Sequence, residues 1–352
     1  MALDERAQES YNGIAASKVD INIVDQSHVN LTRLRGMNLT PREEDFYVRF
    51  RSLPIILEHR ASADETSGWQ VIKGGTKQWG GVKNVDAKLL SRFELSKLLA
   101  LNRGVTEVDR KPLDTLKVTD VTFADIKGML GNVKINTSER DFSNFGNVDF
   151  VFFKLGVAGS HVSLEAGNAG VARGKPKFFN PKKLYDEGWI SLDDWVSYSA
   201  GGSFTNNMNT VWYGFPQDNL KVNYSKPYTK AYLYTHYEGL AAKKFEQHKE
   251  KKVAAHPLIK QLSDEVFFGD DILPGLALSV IEHLKFADPT GKFIEDALAK
   301  DFFPKVSALM ANTWRLIEAK LPGSMRYYDF KISKDEAKGR APIGTTEMNK
   351  HF

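Results

Sequence analysis

The chain contains no cysteine. Disulfides, thiolate metal sites, iron–sulfur clusters and cysteine nucleophiles are therefore excluded, and composition leaves the redox compartment open. No stretch approaches the ~18 consecutive apolar residues of a membrane span, so no membrane partner is expected. The first thirty residues, MALDERAQESYNGIAASKVDINIVDQSHVN, lack the basic-then-apolar layout of a cleaved signal peptide. Long Lys/Arg runs are missing too. The 48 basic residues against 44 acidic ones leave a net charge of +4, which gives no reason to expect nucleic acid as a partner. Standard catalytic signatures are absent: no GxxxxGK[ST] phosphate loop, no GxGxxG after a strand, no HExxH zinc helix, no GxSxG elbow. The eight histidines are scattered without metal-ligand spacing, so no metal is expected. No repeat of about 20–50 residues is present, which argues against a solenoid.

What is there is globular material. Of 352 residues, 42% are hydrophobic and 26% charged, and an aromatic content of 11% supplies a sizeable core. The length allows one large domain or two ordinary ones. Residues 1–45 are polar and weakly periodic, and read as a partly ordered lead-in. Residues 47–59 (YVRFRSLPIILEH) begin with alternation and end in the run Leu53–Leu57, a buried strand. Residues 86–102 place Leu89, Phe93, Leu95, Leu98, Leu99 and Leu101 at helical spacing, with Asp86 as N-cap. Short strands and one helical turn are expected from Leu116 to Ile135.

In FSNFGNVDFVFFKL (142–155) a Gly146-Asn147 turn feeds a run rich in β-formers, read as a central strand. Residues 188–198 suggest a helix or helical turn, and 156–174 and 200–228 suggest loops. DEVFFGDD (264–271) reads as a second central strand opening with an acid, and LALSVIEHL (276–284) as a helix begun at Pro274-Gly275. Helical segments are expected over 292–321, interrupted near Pro304 and stopped at Pro322-Gly323. The last 22 residues, from Lys331, read as a loose tail.

Three segments join strand character to a polar residue at a strand end. In LEHRAS, His59 and Arg60 stand where a buried strand meets a loop. In FGNVDFVFF, a glycine turn beside consecutive aromatics can build a wall for a planar ring. Phe152 and Phe153 point to opposite sides of a strand, so at most one lines a given cleft. In DEVFFGDDILPG, Glu265 is an acid opening an apolar strand, where a partly desolvated carboxylate can meet a developing cation. Each also has a plain reading: a surface pair, a core strand, a solvated acid.

In this order the three segments resemble the ADP-ribosyltransferase fold, in which a first strand ends in His or Arg against the ribose of NAD. A middle strand there meets the nicotinamide, and a late strand begins with the catalytic glutamate. More narrowly, FGNVDFVFFKL together with DEVFFGDDILPGLALSVIEHL resembles the OspC-type arginine ADP-riboxanases, type III secreted bacterial effectors that modify host proteins. The chain lacks their ankyrin repeats and closes on helices instead.

The resemblance implies an α+β fold with a split β-sheet core, flanking helices and a C-terminal helical region. It implies a lead-in at 1–45, a catalytic domain at 46–290, a helical segment at 291–330 and a flexible tail at 331–352. It also implies NAD as the substrate cofactor and a host protein as acceptor, in the host cytoplasm after export by a type III-like route. Glu265 would be catalytic and His59 would meet the ribose. Phe152 or Phe153 would pack on nicotinamide, and Arg60 or Arg173 would pair the pyrophosphate. Asp149, Asp193 or Asp264 would be the second acid if the product cyclises. Residues 302–321, with Phe303, Val306, Met310 and Trp314 at three- or four-residue steps, resemble a calmodulin-binding helix; a helix packed on its own domain is the plain alternative. A plain mono-ADP-ribosyltransferase acting on Arg, Thr or Ser, and a non-enzymatic α/β binding protein, are the competing readings.

Overall fold

A computed structural model describes residues 3–18, 20–60, 70–71, 88–133, 139–143, 146–159, 176–192, 266–288, 290–313 and 317–339. Three capped helices come first. Asp4 accepts from the Ala7 amide and starts α1 (Glu5–Ala15). Asn22 caps α2 (Ile23–Arg35). Thr40 and Glu43 form a capping box before α3 (Pro41–Phe50), whose first position takes a proline because no helical N–H is lost there. Strand β1 (Ile55–Arg60) follows, then β2 (Gln70–Val71), β3 (Lys88–Leu90) and α4 (Arg92–Asn102). The hairpin β4 (Glu107–Val108) and β5 (Lys111–Pro112) leads through α5 (Phe123–Leu130) and α6 (Glu139–Ser143) to β6 (Phe150–Val157). Next come β7 (Pro176–Phe179), α7 (Lys182–Glu187), β8 (Trp189–Ser191) and β9 (Val266–Phe268). Then come α8 (Ile272–Ala287), α9 (Lys292–Ala299), α10 (Phe302–Thr313), β10 (Glu318–Pro322) and β11 (Ser324–Arg326). Helix α11 (Tyr327–Phe330), β12 (Lys331–Ile332) and α12 (Lys334–Ala337) end the described chain.

Among the described residues the main sheet runs β12-β7-β1-β6-β10-β8-β9, with every neighbouring pair antiparallel. A second sheet, β11-β3-β2, stands beside the start of β6. The chain passes from one sheet to the other at Gly323, where φ of 61° suits a residue without a Cβ. The class is α+β. One face of the main sheet (Leu57, Phe153, Leu155, Phe179, Ile190, Phe267, Ala319) packs on Phe46 and Phe50 of α3, Leu276 and Ile281 of α8, and Phe302 and Val306 of α10. The other face carries two apolar patches. Phe150, Trp189 and Val266 lie under Tyr11 and Ile14 of α1. Ile56 lies with Ile332 and Ala337.

Several elements depart from the sequence expectation. Residues 1–45 hold two whole helices and the start of α3, and bury Ile14, Ile23, Leu31 and Leu34 in the two cores. Residues 47–50 complete α3, and the strand begins only at Ile55. Ser91, rather than Asp86, caps α4 by accepting from the Glu94 amide. The expected helix at 188–198 opens as strand β8. The helical reading of 292–321 fails over its last residues, which form the strand β10 beside β6. Lys331 and Ile332 pair with β7, so the chain beyond 330 is not a free tail there. The expected second central strand is a three-residue edge strand in this order. The central strand over 150–157 and the strand ending in His59 and Arg60 stand as read.

Candidate functional site

His59 lies near the end of β1, against β6. Its Nδ1 is 2.8 Å from the Phe152 carbonyl. A carbonyl only accepts, so Nδ1 carries the hydrogen and Nε2 keeps the lone pair. Nε2 is sealed from water and has no hydrogen-bond partner among the described residues. Burial holds the imidazole below its ordinary pKa; the Phe152 hydrogen bond opposes this and the Arg92 charge adds to it. At neutral pH the ring is thus a neutral acceptor. It sits 5.5 Å from the Phe153 ring, on the main-core face of the sheet.

Arg92 reaches this corner through α4. The Ser91 hydroxyl donates to Asp149 at 2.7 Å, and the Phe93 amide donates to the Val148 carbonyl at 3.2 Å. Arg92, between them, is held beside the approach to β6. Burial pushes its guanidinium down to about 10, while the Asp141 charge works against that fall. Sequence reasoning missed Arg92. The signal was a basic residue at the first position of a helix, where the dipole disfavours a cation.

The other face of the sheet carries a row of polar side chains that sequence reasoning also missed. Glu58 pairs in register with Lys154, Lys154 with Glu318, and Glu318 with Ser191. One step along, Phe152, Lys320, Trp189 and Phe268 align. Lys320 is fully buried, yet its Nζ donates to Ser191 Oγ at 2.7 Å, lies 3.0 Å from a Glu318 oxygen and sits 4.2 Å from the Trp189 ring centroid. Glu58 and Lys154 were visible as polar interruptions of the apolar runs IILEHR and FVFFKL, whereas Glu318 and Lys320 stood in a stretch read as helix.

The expected site residues are distributed as follows. His59 and Phe153 share one face of the sheet, and half-buried Phe152 takes the other, 5.9 Å from Lys320. Asp149 is fully buried and committed to structure. It accepts from Ser10 at 2.8 Å, Ser91 at 2.7 Å and Arg6 at 2.9 Å. Burial raises its pKa, against the pull of the Arg6 charge. Arg60 pairs through its backbone with Pro176. Glu265, Arg173, Asp193, Asp264 and Trp314 lie outside the described residues. Strand β9, which begins at Val266, has β8 and β10 between it and β6, about 14 Å at the usual strand spacing. On α10, Val306 and Met310 are buried in the main core and Phe303 is exposed, so the described apolar side of this helix faces its own domain.

Among the described residues no group of His, Asp or Glu could hold a metal ion, and no helix is long and apolar enough to cross a membrane. Compared with known protein families and with curated proteins, the sequence matches none of either.

Proposed function

We propose that the chain transfers ADP-ribose from NAD to a side chain of a host protein, on an ADP-ribosyltransferase-like split sheet. The observation that carries this reading is the junction of β1 and β6. The histidine that resembles the family's ribose contact donates Nδ1–H to the backbone of the strand carrying the aromatic pair, and its Nε2 lone pair is left as an acceptor. A sugar hydroxyl is the complementary donor. The separate sheet formed by β11, β3 and β2 beside the start of β6 supports a split core.

The chemistry asks for little covalent machinery. The C1′–N bond to nicotinamide breaks with both electrons leaving on the neutral nicotinamide ring. The ribose carries the positive charge until the acceptor atom bonds to C1′ and gives up its proton. A carboxylate near the 2′-hydroxyl stabilises that charge, and a rigid pocket bends the dinucleotide. Glu265 has the carboxylate role in this reading, and Arg60 or Arg173 the pyrophosphate. If a guanidinium product then cyclises, ammonia leaves.

The test is incubation with biotin-labelled NAD and host-cell lysate, followed by mass spectrometry of the labelled proteins. Glu265→Gln is expected to keep the fold and lose transfer by about 10²–10⁴-fold, the range for a positioned acid–base group. Full turnover by that variant removes Glu265 from the mechanism. An adduct lighter than simple ADP-ribosylation by one ammonia identifies riboxanation, and the full mass identifies plain transfer. No labelling and no NAD consumption by the wild type leave a non-enzymatic binding protein.

A further inference from the structure

One buried carboxylate ties helix α1 to two other elements. Asp149, the residue before β6, is fully buried. Its Oδ1 accepts from the Ser91 hydroxyl at 2.7 Å and from Arg6 Nη2 at 2.9 Å, and its Oδ2 accepts from the Ser10 hydroxyl at 2.8 Å. Arg6 and Ser10 belong to α1 and Ser91 caps α4, so the carboxylate joins both helices to the start of β6. The same Arg6 nitrogen donates to Glu94 Oε1 at 2.6 Å. Two carboxylates thus share one guanidinium, and they are unequal. Glu94 is partly open to water and has a second cation, Lys97, at 2.8 Å, while Asp149 has neither. Glu9, 3.8 Å from Arg6 and 3.4 Å from Lys117, completes the charged groups around the cluster. The chain also passes between the two sheets here. The Gly323 amide donates to the Asp149 carbonyl, and a Cβ on Gly323 would stand 3.1 Å from Arg6 Nη2.

We infer that Asp149 is a proton-operated clamp: ionised, it holds the first half of α1 against α4 and the start of β6, and on taking up a proton it releases the Arg6 end of α1. This stands apart from the NAD reading. Two carboxylates on one guanidinium do not ionise equally, and the first proton goes to the one without water or a second cation. The surroundings take that proton without leaving a buried group unpaired. Protonated on Oδ2, Asp149 donates to the Ser10 oxygen. The Ser10 hydroxyl then turns its own hydrogen to the carbonyl of Arg6, four residues back in the same helix. Arg6 only donates, so it keeps a weak neutral bond to Asp149 at most, and its charge stays with Glu94 and Glu9. Burial raises the Asp149 pKa against the pull of Arg6, the direction such a clamp needs. Withdrawing Arg6 raises the proton affinity of the buried carboxyl further, so by linkage a bound proton favours the released α1. A folded pKa above the unfolded one also means that proton uptake here favours the folded chain as pH falls. The release is therefore not unfolding driven by this group.

The test follows the carboxyl and the helix separately in the full chain. Aspartate ¹³C-carboxyl NMR titrates Asp149. Amide hydrogen exchange, corrected for its intrinsic pH dependence, reads the protection of α1 against that of α2. The Asp149 midpoint is expected above the ordinary 3.8. Protection of α1 is expected to fall roughly tenfold or more through that midpoint, as loss of a charged hydrogen bond implies, while α2 stays level. Asp149→Asn, neutral at every pH, is expected to show the low α1 protection already at neutral pH and no step. If that variant folds poorly, Arg6→Gln serves: the Asp149 midpoint is expected to rise further and the step in α1 to flatten. An Asp149 midpoint at or below 3.8 overturns the clamp. So does a step in α1 that survives either substitution, or a loss of protection in α2 that runs in parallel with α1.

Discussion

His59 is where a single side chain ties stability to pH. Burial, set against the Phe152 hydrogen bond and reinforced by the Arg92 charge, lowers its folded pKa below the ordinary 6.5. The unfolded chain therefore binds a proton before the folded one does. The stability this site contributes is complete above pH 6.5 and is lost as pH falls through the folded value. Glu43, Glu94, Asp120 and Asp125 have lowered pKa values, so their contributions fade only at still lower pH, below the ordinary carboxylate range. Asp149, raised by burial, acts in the opposite sense and gains as pH falls. Comparing wild type with His59→Gln isolates the histidine. The wild-type melting temperature is expected to drop from pH 7.5 to 5.5, with a smaller drop in the variant. Equal slopes would place the imidazole in contact with water in both states.

At the scale of elements, β10 shows what a five-residue strand can hide. IEAKLPG follows a helical stretch and ends at a proline–glycine stop, so helical periodicity claims it, and Lys320 falls in the segment that resembles a calmodulin-binding helix. In the folded chain Lys320 is fully buried between β6 and β8, held by Glu318, Ser191 and the Trp189 ring. Removing one partner of a buried ion pair costs about 3–5 kcal/mol, because the other charge stays behind. Lys320→Met is expected to lower urea-unfolding free energy by that amount, with part of it regained in Lys320→Met/Glu318→Gln. A loss below about 1 kcal/mol would mean that water reaches the row. By contrast, β1 and β6 were legible, because IILEHR and FVFFKL are rich in β-formers and turn residues precede β6. The places of His59, Phe152 and Phe153 on these two strands were legible with them. The place of Arg92 was not, because it depends on α4 being tied to the approach to β6 through Ser91 and Phe93, contacts between residues 55 or more positions apart. The N-terminal helices were carried by their caps, Asp4, Asn22 and Thr40 with Glu43, in a segment whose polar composition masks a narrow apolar stripe.

The whole molecule depends on those helices. Reading residues 1–45 as a lead-in implies that a chain beginning at residue 46 folds by itself. Yet Tyr11, Ile14, Ile23, Leu31 and Leu34 are buried, each worth about 1.5–3 kcal/mol of removal from water, together comparable to the ~5–15 kcal/mol by which a domain is stable at all. Losing them also uncovers Phe150, Trp189 and Val266 on the sheet and strips Asp149 of Arg6 and Ser10. A buried carboxylate deprived of its cation is among the costliest defects a core can carry. The chain 46–352 is therefore expected to be insoluble or to lack a cooperative thermal transition, where the full chain melts sharply. The single substitution Arg6→Ala, which leaves the apolar contacts in place, is expected to lower stability while the protein still folds. A truncated chain that melts cooperatively within a few degrees of the full one would make α1, α2 and the first half of α3 an accessory layer.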